Sequence, residues 1–424
     1  MSGRAFGWAL VAVAELGVAG WSTGLGAQMA TGPSTGGAAA LNQAERMLGR
    51  TKRVLLIAAH PDDENTELLA TLVRGEGAEA AYLSLSRGEG GQNLIGPELG
   101  VELGLIRTEE LLAARRLDGA RQYFTRAFDF GFSKTIEEAS RFWPRDSVLK
   151  DAVRIVRRFR PQILVAVFSG TPRDGHGQHQ MSGWVAQEAF RAAGDSSRFP
   201  ELAQEGLRPW SPLKLYRSSR FDPGGGATIV RLDGGRLDRD LGQSYRQIAS
   251  QSRSRHRSQD MGVLQEPGPS EVRLAQMEDR TGGGGRGLAR SGGPEELWRG
   301  IDTSAVPPGG TRIEALDQAR HAAIAAANRA GLVFDATTTD GRLVPGQRVG
   351  VRLLAWNAGT EPVTVEMDLL TPSGWRVTPC TTPRTRVGPG TIATCDAEIG
   401  IPEDARYTTP YFLMGGGAGN RAGP

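Results

Sequence analysis

Val54-Leu55-Leu56-Ile57-Ala58-Ala59 runs without a break into His60-Pro61-Asp62-Asp63-Glu64, and this junction decides the fold. Six consecutive apolar residues suit a strand buried on both faces, and such strands belong to parallel sheets covered by helices. Beyond the junction the period changes. Leu68, Leu69, Leu72 and Val73, within 65–74, follow the i, i+3, i+4 spacing of an amphipathic helix. A second strand is expected at 80–85, then a Gly-rich loop from 87 to 100 and a long helix from about 102 to 117. The stretch 147–159 reads as a helix with Arg154, Arg157 and Arg158 outside, 162–168 as a third buried strand, and 183–193 as a further helix. Strands alternating with helices predict an α/β domain over residues 51–260. Its expected form is a Rossmann-like three-layer fold with a mostly parallel sheet. Ligands in such folds collect at the carboxyl ends of the strands.

Two of those ends carry chemistry. Across the turn after the first strand, His60 and Asp63 can aim an imidazole nitrogen and a carboxylate oxygen into one crevice, and both suit zinc. Asp62 lies between them and can face a metal-bound water without being a ligand. The competing reading is that Asp62 or Asp63 only caps the following helix. The third strand ends in Ser169-Gly170-Thr171-Pro172-Arg173-Asp174-Gly175-His176-Gly177-Gln178-His179, with two histidines again three apart. A single histidine is more often structural than a ligand. Three of the chain's five at two strand ends of one sheet point instead to a metal hydrolase. His60, Asp63 and His179 would leave a coordination position open for water, whose pKa bound zinc lowers to about 7.

The AHPDDE motif after an apolar strand, paired with a late HxxH, resembles the PIG-L/LmbE-like zinc de-N-acetylases. The resemblance extends through Arg87-Gly88-Glu89-Gly90, Ile106-Arg107-Thr108-Glu109-Glu110 and Leu117-Asp118-Gly119, and covers about residues 51–260. It implies hydrolysis of the N-acetyl group of an N-acetylglucosamine-like amino sugar or glycoconjugate, with one Zn2+ (or Fe2+) per chain. It further implies His60, Asp63 and His179 as metal ligands, Asp62 as general base, and protonated His176 as the group that stabilises the oxyanion. Arg107 matches a position that meets sugar hydroxyls. Many members carry Asp immediately before the last histidine, where this chain has Gln178. Gln178 cannot hold a charged His176 as a carboxylate would, and Asp174 is the candidate substitute.

Asp129, within Phe128-Asp129-Phe130-Gly131-Phe132, and His256, within 251–259, are further candidate substrate contacts. Against them stand aromatic packing around an Asp turn and a solvated basic helix face. Glu89 could line the pocket, and His321 reads as structural. The alternative from another class is a non-catalytic carbohydrate-binding homologue that retains the fold; Asp62 argues against it, because a binder needs no base.

The remaining sequence bounds these readings. The chain has 424 residues, 39% hydrophobic and 23% charged, which excludes wholesale disorder. Only four of its 50 basic residues are lysines, and the net charge of +3 is dispersed, so no nucleic-acid or membrane-surface partner is indicated. Arg4, the apolar run 6–19 and Leu25-Gly26-Ala27 read as an export signal over 1–27, too short to span a membrane comfortably. A periplasmic or extracellular location, with no integral span after signal removal, is therefore expected. Residues 261–330 read as a Gly-rich linker and helical extension, with an Ala-rich helix at 313–330. Short alternating runs between Pro/Gly turns predict a β-sandwich over 331–413. Its pattern breaks off at Tyr411, as in a truncated module, before a patternless tail at 414–424. Trp356 and Trp375 read as core or glycan-facing. Cys380 and Cys395 form either one disulfide or two unpaired strand cysteines.

Overall fold

The computed structural model describes residues 10–14, 37–49, 51–218, 229–264, 266–282, 291–304, 321–322, 325–327, 329–338, 343–369, 371–372 and 374–405. They fall into two compact units. Described residues of the first run from 51 to 304; those of the second are 10–14, 37–49 and the stretch from 321 to 405.

The strands of the first unit are β1 (Arg53–Ala58), β2 (Glu79–Ser84), β3 (Arg121–Phe124), β4 (Ile163–Ala166), β5 (Lys214–Ser218), β6 (Ile229–Asp233), β7 (Glu271–Asp279) and β8 (Ser291–Gly292). They form one sheet in the order β8-β6-β7-β5-β4-β1-β2-β3. The five strands from β5 to β3 are mutually parallel, while β7 runs antiparallel to both β5 and β6. Its main helices are α1 (Thr66–Ala70), α2 (Val101–Asp118), α3 (Ile136–Phe142), α4 (Arg145–Phe159), α5 (Gly177–Ala192) and α6 (Tyr245–Arg253).

The unbroken apolar run of β1 follows from its central place. Leu55 and Ile57 pack into a cluster with Leu149, Val153 and Val156 of α4 and Val185 and Ala189 of α5. Val54, Leu56 and Ala58 face the opposite cluster, with Leu68, Leu69, Leu72 and Leu111. Alternate side chains of one strand thus feed two cores, which is the three-layer arrangement.

Several boundaries differ from the sequence reading. The α/β unit does not stop at 260: β7, β8 and a short helix at Pro294–Trp298 belong to it, within the stretch read as linker. In β7 buried Val272 and Leu274 alternate with exposed Glu271 and Arg273, so only one side of each residue pair carries an apolar signal. Of the glycine run itself, 283–290 lies outside the described residues. Helix α5 begins at Gly177, six residues earlier than expected, which brings His179 into its first turn. Arg154 and Arg157 are buried, not outside. Arg154 pairs with Asp151 at 2.6 Å and Glu205 at 2.8 Å, and Arg157 donates to the carbonyls of Ala193, Asp195, Arg198 and Phe199.

In the second unit, Leu332–Thr338, Arg348–Asn357, Ile392–Gly400 and Arg376–Thr378 form a four-stranded antiparallel sheet. Val363–Leu369 pairs antiparallel with Arg384–Val387 in another. Val349, Val351, Leu353 and Ala355 from the first sheet and Val365, Met367 and Leu369 from the second share one core, as a sandwich requires. Trp375 packs against that core, whereas Trp356 is 41% exposed. Leu10–Ala14, inside the segment read as an export signal, is a strand parallel to Val363–Leu369. The rest of 1–27 lies outside the described residues, as do 406–424; of the expected helix at 313–330, residues 321–322, 325–327 and 329–330 are described. No helix among the described residues is long and apolar enough to cross a membrane.

Cys380 and Cys395 are joined in a disulfide, with their Cα atoms 5.6 Å apart, which decides between the two cysteine readings. A loop of this length raises stability by about 3 kcal/mol in the chain-entropy account. The double replacement Cys380→Ser/Cys395→Ser should lower the unfolding free energy of the β unit by about that amount. Denaturant titration that follows both units separately checks this: the α/β transition should not move.

Candidate metal and catalytic site

Chain connections leave β1 and β4 in opposite directions, so a crevice opens between their carboxyl ends. Residues 60–63 enter it from β1 and residues 167–179 from β4. The turn after β1 has to reverse before α1 begins, and it does so with Asp62 at φ 95°. A non-glycine residue in that region typically stores about 1–3 kcal/mol of strain, which collects at functional sites. Asn65, not either aspartate, caps α1: its side chain accepts from the Leu68 N–H at 3.0 Å. Asp62 and Asp63 are therefore released from the capping role.

Asp63 is the hinge of the site. Its Oδ2 accepts from the backbone N–H groups of Ala59 (3.2 Å) and His60 (2.7 Å). The same carboxylate lies 3.3 Å from His60 Nδ1 and 3.2 Å from His179 Nε2. His60, His176 and His179 each offer a nitrogen within 4.8 Å of the others, the one such cluster of metal-capable groups among the described residues. Gly177 lets α5 start where it must: its N–H donates to the Ser133 carbonyl at 2.8 Å, and a Cβ there would collide with the Thr135 carbonyl.

Ring orientation is set from behind. His179 Nδ1 lies 3.1 Å from the Asp174 carbonyl, to which it donates, leaving Nε2 to face Asp63. His176 Nδ1 lies 3.0 Å from Gln178 Oε1. Ser133 Oγ donates to that oxygen at 2.6 Å and the Gln178 amide nitrogen donates to the Gly131 carbonyl, so the amide orientation is fixed. His176 consequently donates through Nδ1 and presents Nε2 as a lone pair. Such outer contacts commonly fix the tautomer of ligating histidines.

The electrostatics fit a cation. Burial opposes charge on Asp63, but His179 and His60 outweigh it and hold the carboxyl far below its usual range. Burial also works against a charged His60, yet hydrogen bonding to Asp63 and the charges of Asp129, Asp63 and Asp62 raise its pKa to about 9. That negative field is what a bound dication would neutralise. Three imidazoles and an ionised carboxylate are a donor set suited to zinc or iron(II). Burial, then the Asp63 charge, pushes the Asp62 carboxyl up to about 6. Burial, then His179 and His60, lowers His176 to about 4. Both causes disfavour the charged form of His176 that the resemblance implies.

The remaining candidates separate. Asp129 is buried with Oδ2 3.9 Å from His60 Nε2, so it does face the centre. Its N–H donates at 3.0 Å to Glu89, which is itself buried and braces this loop. Arg107 is buried, not open to a sugar: its guanidinium donates to the carbonyls of Gly88 (3.0 Å) and Gln92 and holds the Gly-rich loop. Asp174 does not substitute for the absent carboxylate beside His176. Its side chain accepts from Ser169 N–H and Oγ, Gly170 N–H and Thr171 N–H, at 2.7–3.0 Å, and knots the loop after β4. His256 is fully buried, with Nε2 donating to Glu64 at 2.6 Å, and cannot touch substrate. Phe132 was missed: it is 73% exposed, its ring centre 5.8 Å from that of His176. It lies in the same aromatic stretch as Asp129, and the rings of that stretch read from the sequence as packing.

Residues 55–190 match the family described as PIG-L, GlcNAc-PI de-N-acetylase. Residues 343–411 match the NPCBM-associated, NEW3 domain of alpha-galactosidase. A 1D-myo-inositol 2-acetamido-2-deoxy-alpha-D-glucopyranoside deacetylase of Geodermatophilus obscurus is 33% identical over 184 residues, which is 39% of this chain and 60% of that protein. The protein of the same name from Streptomyces scabiei is 32% identical over 222 residues, 47% of this chain and 65% of that protein. The chain thus spans less than two thirds of either relative's length. The solved N,N'-diacetylchitobiose deacetylase of Pyrococcus horikoshii, with its inhibitor MPG, aligns over 49% of this chain and 70% of that one, at 23% identity and a TM-score of 0.37.

Proposed function

We propose, from the match of residues 55–190 to the PIG-L family, that this protein is a zinc-dependent hydrolase that removes the N-acetyl group from an N-acetylglucosamine-like amino sugar or its conjugate. The observation that carries the reading is the convergence of His60, Asp63, His176 and His179 beside Asp62 at the β1/β4 crevice. The two relatives named as deacetylases of an acetamido-glucopyranoside support the substrate class.

His60, Asp63 and His179 would hold the metal, which supplies Lewis acidity and an acidified water when bound. Asp62 takes up the proton of the attacking water and returns it to the departing amine. Its raised pKa, near 6, suits both directions of transfer. His176, with Nδ1 engaged by Gln178, would stabilise the oxyanion through Nε2 when it carries a proton taken from solvent, and returns that proton to solvent as the oxyanion collapses. Phe132 offers an exposed ring face against which a sugar can lie. Export of the chain belongs to the same reading; the disulfide of the β unit is at home in an oxidising compartment.

The test combines metal analysis of the purified protein with acetate release from a panel of N-acetylated amino sugars. About one zinc or iron per chain, with acetate released and activity abolished by chelation, is the expected result. Protein without stoichiometric metal, or with metal but inert toward every N-acetyl sugar, removes the proposal. Phe132→Ala should raise KM about tenfold and leave kcat within twofold, as the loss of a stacking face worth about 1 kcal/mol predicts. Steady-state kinetics on the best substrate of the panel checks this.

A further inference from the structure

The turn that carries Asp62 is held at three successive carbonyls by side chains. Tyr82 Oη donates to the carbonyl of His60, Gln259 Nε2 to that of Pro61 at 3.0 Å, and Arg253 Nη1 to that of Asp62. The Asp62 N–H in turn donates to Glu64 Oε2 at 3.0 Å. Two of the three carbonyl partners come from one segment at the end of α6, some 190 residues along the chain.

That segment is fastened by polar contacts and not by an apolar face. Ser252 Oγ donates to Asp118 at 2.8 Å, His256 Nε2 to Glu64 at 2.6 Å, and Ser258 donates through N–H and Oγ to Glu110 at 2.6 and 2.7 Å. Arg115 closes the set, pairing with Asp118 at 2.7 Å and Glu64 at 3.2 Å. Ser252, His256 and Ser258 are buried, while Arg255 and Arg257 face solvent. The alternation explains the run 251–259: every buried member of it has a named partner on α2 or on the residue that follows Asp63.

We propose that residues 252–259 form a clamp that sets the working geometry of the base Asp62, with Arg253 as its positioning residue. A residue at φ 95° keeps that conformation only if its surroundings over-determine it. Arg253 and Glu64 grip the Asp62 peptide unit on either side, so its carboxyl is aimed by a backbone that cannot relax. Glu64 is itself aimed by Arg115 and His256. The inference rests on the deacetylase reading for its kinetic consequence, but not for its structural one.

Arg253→Met removes the donor, and Arg253→Lys keeps a charged donor of similar reach. The expected result is that Arg253→Met lowers kcat about 10- to 100-fold with KM, metal content and melting temperature near wild type. Arg253→Lys should recover most of the rate. Amide exchange in a peptide spanning 59–66 should quicken in Arg253→Met, and the exchange of β2 and β4 should not. Unchanged exchange at 59–66 overturns the clamp even if the wild-type protein releases no acetate, a result that would instead sink the functional reading. An active wild type whose Arg253→Met variant keeps its kcat also overturns it. So does a loss of rate that comes only with lost metal and lower melting temperature, or that Arg253→Lys does not repair.

Discussion

Asp62→Asn should lower kcat for acetate release by about 10²- to 10⁴-fold, with KM within a few fold of wild type and the metal retained. The replacement is isosteric, and asparagine tolerates positive φ better than almost any other non-glycine residue. The contacts of Glu64 and Arg253 with residue 62 are made by its backbone, so they survive the change. What disappears is the capacity to take a proton from water, and rate alone should report it. Steady-state kinetics with metal analysis on the same preparation is the measurement. A variant within threefold of wild type would move the base to another group, with His176, which shares the cluster of His60 and His179, as a candidate. Asp62→Gly makes the complementary point: it should be equally inactive yet melt higher, because glycine occupies this backbone conformation without strain.

Arg115→Met should destabilise the α/β unit by about 3–5 kcal/mol. The guanidinium is fully buried and lies between Glu64 and Asp118, which are buried with it. Asp118 is held bidentately, at 2.7 to 3.2 Å through Nη2 and Nε. Removing the cation leaves buried Asp118 without its paired charge and buried Glu64 with His256 alone, a larger penalty than the lost attraction itself. A unit of this size should lose roughly 6–20 °C in melting temperature. Arg115→Lys should fall between, since a single ammonium cannot reproduce the planar fork. Calorimetry resolving the transitions of the two units checks both variants, and a shift below 2 °C in Arg115→Met would refute the expectation.

What the sequence disclosed is what depends on near neighbours. The run 54–59 had to be a central strand, and the polar clusters at 60–64 and 169–179 had to sit at strand ends, because each signal is complete within about a dozen residues. The gathering of His60, Asp63, His176 and His179 followed from those two ends and one sheet. Partners distant in the chain were not legible. His256 sits in a run of arginines and serines that looks solvated, and only the position of Glu64 makes it buried. Asp174 is spaced correctly to reach His176, yet three backbone amides of the preceding loop compete for it and win. Arg154 and Arg157 look like an outer helix face until Glu205 and the loop carbonyls at 193–199 are folded over them. β7 was hidden by its alternation, since half of each residue pair is charged or polar.

The fastening of 60–62 by 253 and 259 has a consequence for how the protein comes into being. A chain that has emerged from the ribosome as far as residue 252 already holds every candidate metal ligand and the base. It lacks two of the three side chains that fix the turn, and it lacks β7, which joins β5 to β6. Closing a loop of some 190 residues is slow relative to local helix formation and depends on contacts remote in sequence. The fixed geometry of the Asp62 turn therefore arrives last. The candidate ligands can gather early in synthesis, but the turn that carries Asp62 takes its final form only once residues 253–259 have docked.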